Sequence, residues 1–340
     1  MVHNGRMMGR LQSLGDVLRG ADEALKAGRS AGAQVVATGF SLLDIYLAGG
    51  LRSGELTLLG GPQGLGKTTF ALQILRAAAK QGGGGVYVSY EHDTHTVLER
   101  MVAAEAGEAR GLEAAPLRAI REAIEARDGR PGTLEQRLDD HEGAGDALRL
   151  VQAYAPRVLI QRANGSTTDL AEIRRIVDAA KTALAGTTPL VVVDYLQKVA
   201  VPGGSDVEEE RVTMVVEGLK DLALDLEVPV LAIVAAEKEG LAAGKRLRAH
   251  HLRGSSALAY EPDVVLLLND KYDVVARHHL VFDVGNAERF RSWAVLTIEK
   301  NRSGMDKIDL EFRKRFDQAR FEADGQAVEE QLVDERVFVE

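Results

Sequence analysis

The chain has 340 residues, 45% of them hydrophobic and 27% charged, with 42 Lys and Arg against 51 Asp and Glu and a formal net charge of −9. It contains no cysteine, which excludes disulfides, cysteine-ligated zinc and thiol catalysis; no apolar run approaches the ~20 residues of a membrane span and the first residues lack a signal peptide's apolar core, so the expected compartment is the cytoplasm, with no membrane partner. The acidic balance argues against a protein that coats nucleic acid, although a ring can confine its positive charge to a central channel, and the length suits one large α/β domain with attachments or two modest domains.

Between Arg10 and Gly28, the residues Leu11, Leu14, Leu18, Ala21 and Leu25 recur at spacings of three and four, which predicts an amphipathic helix with a narrow apolar seam. Gly15 and Gly20 weaken it, so it needs a surface to dock on, in its own domain or elsewhere. Ala31 to Val36 reads as a flexible linker. From Glu55 to Phe70 the sequence ELTLLGGPQGLGKTTF then reads as strand, phosphate loop and helix, with Leu56, Leu58 and Leu59 in the strand and Ala71, Leu72, Ile74 and Leu75 continuing at helical spacing. A GxxxxGKT loop turns its backbone N–H groups around a phosphate chain, and glycines are required because a Cβ would block the approach. The helix that follows adds its positive end. Gly61, Pro62, Gln63, Gly64, Leu65, Gly66, Lys67, Thr68 and Thr69 are the expected nucleotide cradle, with Lys67 between the β- and γ-phosphates and the Thr68 hydroxyl on Mg²⁺. No NKxD guanine-reading motif is present, so ATP is the expected nucleotide.

Val86 to Tyr90 alternates as a second strand that ends at Glu91. A carboxylate at the end of a strand beside a phosphate loop can orient and deprotonate a water for attack on the γ-phosphate; the bland alternative is an ordinary solvated Glu. Thr96 to Tyr154 is helical in pattern, rich in Ala, Arg and Glu, and broken at the Gly129-Arg130-Pro131-Gly132 turn; it carries no motif and reads as structural. Val158 to Ile160 is the next strand. Asp169, with Glu172 three residues on, predicts a helix N-cap ahead of a buried face of Ile173, Ile176, Val177 and Ala180. Pro189 to Asp194 is a continuous apolar run ending in a carboxylate, as in a parallel strand buried on both faces. Asp194 at its tip is the expected holder of the Mg²⁺ water shell, or else a strand-end cap.

Ser205 and Glu208 form a capping-box pattern before a helix whose core face is Val212, Val215, Val216, Leu219, Leu222 and Leu226. Pro229 to Ala236 and Val264 to Leu268 are two further buried strands. Between them lies the densest basic cluster, Lys245, Arg246 and Arg248, followed by His250, His251 and Arg253. Lining a pore, Lys245, Arg246, Arg248 and Arg253 would grip a phosphate backbone; a solvated surface loop is the alternative. Ala294 to Ile298 and the alternating Ile308, Leu310 and Phe312 predict a hairpin from which Lys300 and Arg302 project. Two cations on a rigid turn suit a neighbouring subunit's γ-phosphate, where an arginine in trans stabilises transition-state charge. After Glu322 the chain is acidic and expected to be loosely ordered. The expected division is a linker helix and linker in 1–37, an ATPase domain in 38–323 and an acidic tail in 324–340.

Several of these motifs, in this order, resemble the RecA-fold ATPase domain of DnaB-type replicative helicases. They are Thr38-Gly39-Phe40 with Leu43-Asp44, the GKT loop, Ser89 to Glu91, Asp194-Tyr195-Leu196-Gln197, Leu219-Lys220, Val228-Pro229-Val230, Leu252-Arg253 with Ser255, Asp263, and Lys300 to Arg302. The resemblance spans Thr38 to Phe321. It implies an α/β fold with a mostly parallel central sheet flanked by helices, a C-terminal β-hairpin and a short N-terminal linker helix. It also implies a six-subunit ring with ATP between subunits, Glu91 as the base, Lys300 and Arg302 acting in trans, and the Leu11 to Leu25 seam docked on the adjacent subunit. The chain departs from the pattern at Val234-Ala235, where the family carries Ser-Gln, and at His251 and Gly254, where it carries acidic residues. With only about 37 residues before Thr38, the helicases' separate N-terminal domain is expected to be missing. The GPQGLGKT loop, the YVSYE strand and the KNR hairpin are also similar to RadA and KaiC relatives. Two functions follow: an ATP-driven motor on single-stranded DNA, with a possible loader, or an oligomeric ATPase whose nucleotide state controls a protein partner.

Overall fold

Apolar runs with hydrophobic side chains on both pleat faces have to be covered from both sides, and the chain does this with a helix-flanked central sheet. The computed structural model describes residues 11–237, 244–281 and 284–334. Its strands are β1 (Val35–Val36), β2 (Leu51–Arg52), β3 (Leu56–Gly61), β4 (Gly85–Ser89), β5 (Val158–Arg162), β6 (Leu190–Asp194), β7 (Val230–Ala235), β8 (Val264–Asp270), β9 (Trp293–Asn301), β10 (Ile308–Arg315), β11 (Arg320–Phe321) and β12 (Gln326–Ala327). The large sheet has the order β11-β10-β9-β8-β3-β7-β6-β4-β5, with β12 also on β10. From β8 to β5 all neighbours are parallel, and β9 and β10 extend the sheet as an antiparallel hairpin. The strand that feeds the phosphate loop, β3, is therefore held on both sides by the buried strands β7 and β8.

Helices α1 (Leu14–Lys26), α2 (Ser41–Tyr46), α3 (Lys67–Lys80), α4 (Thr94–Arg110), α5 (Leu117–Glu125), α6 (Leu134–Asp139), α7 (Ala144–Tyr154), α8 (Leu170–Ala183), α9 (Glu208–Leu226), α10 (Ala257–Tyr260) and α11 (Lys271–Val274) follow in chain order. Alternation along the strands sorts the core into two layers. Leu59, Tyr87, Val192, Ile233 and Leu266 pack with α3, α4 and α7, whereas Leu58, Val86, Val88, Val191, Val193 and Val265 pack with α8 and α9. Phe40 stacks on Phe70 with centroids 4.2 Å apart, and Phe312 and Phe321 meet Phe70 edge-on. This cluster ties the α2 segment and the hairpin to the helix after the phosphate loop. Among the described residues no helix is long and apolar enough to cross a membrane.

Four expectations need adjustment. The end of the supposed linker is a strand, because Val35 and Val36 pair antiparallel with Arg52 and Leu51. The 96–154 segment breaks into four helices, α4 to α7, with glycines of positive φ, Gly111 and Gly143, ending or opening them beside the 129–132 turn. Ser205 does not form a capping box: its hydroxyl accepts from Val207 N at 3.1 Å, α9 begins at Glu208 itself, and the Glu208 carboxylate is committed to Arg253 at 2.9 Å. The acidic tail is packed as far as Asp334. Gln326 and Ala327 pair with β10, Ala276 N donates to Gln331 O, Val333 N donates to Val274 O, and Glu330 joins Glu311 on the buried Lys271 ammonium. Glu330 helps neutralise the buried Lys271 and Asp334 pairs with the half-buried Arg248, which composition alone does not show. Residues 1–10 and 335–340 of the expected linker and tail lie outside the described residues.

The expected Asp169 cap is present, accepting from Glu172 N at 2.8 Å. Helix α1 carries a Ser13–Asp16 capping box and has no buried residue; Leu11, Leu14, Leu18 and Leu25 all face solvent.

Candidate nucleotide site

At the C-terminal end of β3 the chain turns through Gly64 and Gly66, both at positive φ, into α3. At Gly66 (φ 84°) a Cβ would also stand 2.7 Å from the Phe316 ring, so backbone conformation and packing both demand glycine. Gly66 is the N-cap and offers no side-chain oxygen, so it supplies no side-chain acceptor to the first-turn N–H groups of α3. Such a helix start suits an anion. Lys67 Nζ donates to Gly61 O at 2.8 Å and Pro62 O at 2.9 Å, curling back over the loop. Burial pushes this ammonium below its ordinary pKa, and the carboxylates of Asp194 and Glu91 oppose that shift.

Asp194 ends β6, and its Oδ2 accepts from the Thr68 hydroxyl at 2.7 Å and the Tyr87 phenol at 2.6 Å. The backbone fixes the same corner, with Tyr90 N donating to Asp194 O at 2.8 Å. Glu91 follows directly. Ser89 Oγ donates to His92 O at 2.8 Å and accepts from His92 N at 2.9 Å, which closes the turn that carries the exposed Glu91. From α4, Arg100 reaches Thr69 Oγ1 at 3.3 Å. Among the described residues no three His, Asp or Glu side chains converge as a metal cage. That suits Mg²⁺ at Thr68 and Asp194, because this ion takes one or two carboxylates and completes its shell with phosphates and water. The donor set and the open, glycine-bounded loop thus fit a magnesium–nucleoside triphosphate.

The model of the DnaB-like helicase C terminal domain family matches residues 35–322. The chain belongs to this family. It is 24% identical over 284 residues to the replicative DNA helicase DnaB of Treponema pallidum (strain Nichols), covering 83% of this chain and 55% of that protein. It is 28% identical over 285 residues to that of Pasteurella multocida (strain Pm70), covering 83% and 54%. The chain therefore spans about half the length of the curated relatives it matches. In fold it is similar to a solved DnaB-like replicative helicase, with a TM-score of 0.68 at 17% identity, covering 91% of this chain and 68% of that one. A solved ATPase domain gives a TM-score of 0.70 at 18% identity, covering 92% of this chain and 98% of that one.

In this DnaB-like domain the hairpin cations lie at the other end of the sheet from the phosphate loop. Lys300 Nζ donates to Ala259 O (3.0 Å) and Tyr260 O (2.6 Å), and Arg302 donates to Tyr260 O (2.7 Å) and Asp263 Oδ1 (3.4 Å). Burial, then the neighbouring Arg302, holds the Lys300 pKa below its ordinary value. Asp263 also accepts from Leu56 N and from Lys220 Nζ, so it marks the start of β3, whereas the phosphate loop leaves β3 at Gly61.

The basic cluster of the DnaB-like domain is divided by its partners. Arg246 is a correction to the expected phosphate-gripping set: it is buried and paired with Asp309 and Thr297, so it serves the fold. Arg248 is half-buried between Glu299 at 3.1 Å and Asp334 at 2.6 Å, and Arg253 is paired with Glu208. Lys245 is half-buried and lines one cavity with Arg246, Arg248 and Asp334. Sequence reasoning assigned no role to Tyr87 or Arg100, and none to Lys220 and Asp263 beyond a motif match. Gln197, in the DYLQ motif, clamps the end of β7: its Oε1 accepts from Ala235 N and its Nε2 donates to Arg253 O.

Proposed function

We propose that the chain is the ATP-hydrolysing motor domain of a cytoplasmic DnaB-like helicase, assembled as a six-subunit ring that moves on single-stranded DNA. The observation that carries this reading is the separation of the two halves of the chemistry. Lys67, Thr68, Asp194 and Glu91 gather at the C-terminal edge of the sheet, while Lys300 and Arg302 sit where β3 begins. Six strand residues at about 3.3 Å each put the two groups roughly 17–20 Å apart. One chain's cations cannot serve its own phosphates; a neighbour's can. Among the described residues none buries the leucines of the α1 seam, and this exposed seam supports the same assembly.

In this reading the backbone from Gly61 to Thr69 binds the phosphate chain and Lys67 exchanges its two carbonyl partners for phosphate oxygens. Thr68 and Asp194 hold Mg²⁺, which when bound neutralises charge on the β- and γ-phosphates. Glu91 accepts a proton from the attacking water. Lys300 and Arg302 of a neighbouring chain stabilise transition-state charge at the γ-phosphate. The linker region is 1–37, the motor 38–323 and the tail 324–340.

Mixing Lys67→Ala with Arg302→Ala subunits tests the assembly: hybrid interfaces that hold both intact residues should regain part of the ATP turnover. No recovery at any ratio overturns the shared site. Turnover with and without single-stranded DNA, and strand separation on a forked duplex, test the motor. A second reading, an oligomeric ATPase that controls a protein partner without unwinding, is favoured by the apolar Val234-Ala235 at the tip of β7 and by the pairing of Arg246 and Arg248. It predicts no salt-dependent DNA binding.

A further inference from the structure

We propose that Tyr87 is a positioning residue for the magnesium site: its buried phenol fixes Asp194 and so sets the Mg²⁺ concentration at which the chain takes up nucleotide. The proposal rests on the nucleotide reading above. Tyr87 lies in the middle of β4 with 0% exposure. In the parallel register it stands opposite Val192, and Ser89 stands opposite Asp194, so all four share the sheet face that α3 covers. The phenol reaches diagonally to Asp194 Oδ2 at 2.6 Å, and the Thr68 hydroxyl reaches the same oxygen from α3 at 2.7 Å.

Two donors on one oxygen fix the plane of the carboxylate that, with Thr68, would hold the Mg²⁺. A phenylalanine would fill the same core volume with no polar atom to satisfy, and at this depth the hydroxyl needs the acceptor that Asp194 provides. Without the phenol, Asp194, itself 1% exposed, would keep a single side-chain donor on Oδ2, the Thr68 hydroxyl. The carboxylate could then turn toward other donors. Arg100, which bonds Thr69 at 3.3 Å, is the cation on that side.

The test is Mg²⁺-dependent binding of a fluorescent, non-hydrolysable ATP analogue to the full chain, titrated from excess chelator upward. Tyr87→Phe should raise the half-saturating Mg²⁺ concentration about tenfold, as loss of an outer-shell partner does, while affinity under chelator stays within about twofold. In an Asp194→Asn background the same substitution should add no further shift. An unchanged Mg²⁺ midpoint, an equal loss under chelator, or a full shift in the Asp194→Asn background overturns the positioning role. Absence of any Mg²⁺-dependent uptake by the unsubstituted chain overturns the nucleotide reading itself. Thermal unfolding of Tyr87→Phe separates a folding defect from the effect sought, and a variant that melts with the parent yet shows no midpoint shift counts against the proposal.

Discussion

Asp263 joins the hairpin to the strand that feeds the phosphate loop, and Asp263→Ala measures the strength of that joint. Its carboxylate is buried and accepts from Leu56 N at 2.8 Å, from Lys220 Nζ at 2.7 Å and from Arg302 at 3.4 Å. Alanine keeps the backbone bonds, Asp263 N to Leu56 O and Arg302 N to Asp263 O. It strands the Leu56 N–H in a buried strand, at about 1–3 kcal/mol, and leaves Lys220, whose side chain is 15% exposed, with only Gly54 O at 3.0 Å. Removing one partner of a buried pair costs about 3–5 kcal/mol. Because Lys220 can turn partly to water and the two losses overlap, about 3 kcal/mol in total is expected; the long bond to the exposed Arg302 adds little. Lys220→Met breaks the same pair but leaves the Leu56 N donor on Asp263, so it should cost less than Asp263→Ala, about 1.5–2 kcal/mol. Urea unfolding at neutral pH reads both, and for a slope near 3 kcal/mol/M the Asp263→Ala midpoint falls by about 1 M. A loss below about 1 kcal/mol for Asp263→Ala, or equal losses for the two variants, would refute this account of the joint.

Gly66→Ala should weaken nucleotide binding at least about tenfold and destabilise by roughly 1–3 kcal/mol, since it forces a Cβ onto a positive φ and into Phe316; nucleotide titration and urea unfolding check it, and wild-type binding would contradict the geometry. Releasing Arg248 from the tail with Asp334→Asn should raise oligonucleotide affinity about three- to fivefold at low salt, the scale of an exposed ion pair. In an Arg248→Ala background that gain should vanish in fluorescence anisotropy, and a gain that persists rules out Arg248 as the group released. Burial works against ionisation of Glu108, but Arg76 and Lys80 outweigh it and hold its carboxyl below the ordinary 4.5. The unfolded chain then binds the extra proton first, so this stabilisation is complete above about pH 4.5 and is lost as pH falls through the folded value. Glu108→Gln should flatten the melting-temperature profile between about pH 5 and pH 3; profiles that run parallel to the parent's would exclude the contribution.

The central strands of the sheet, the phosphate loop and the helix after it were legible in the sequence because each is written locally. Apolar runs at 56–59, 190–193 and 264–268 mark buried parallel strands, glycines mark the backbone that must bend, and Asp169 caps the helix it precedes. Which charges find each other is not local. Arg248 meets Asp334 across 86 residues and Leu56 meets Asp263 across 207, and nothing in the sequence around a basic cluster distinguishes a cation awaiting phosphate from one already neutralised. Tyr87 likewise reads as one more strand residue until the pairing of β4 with β6 brings its hydroxyl to Asp194. Residue order along the chain thus dictates the kind of sheet and the chemistry of its phosphate-binding edge. The three-dimensional arrangement dictates which cations remain for a ligand and places the hairpin at the far end of β3, because sheet order and register, not spacing along the chain, set those distances.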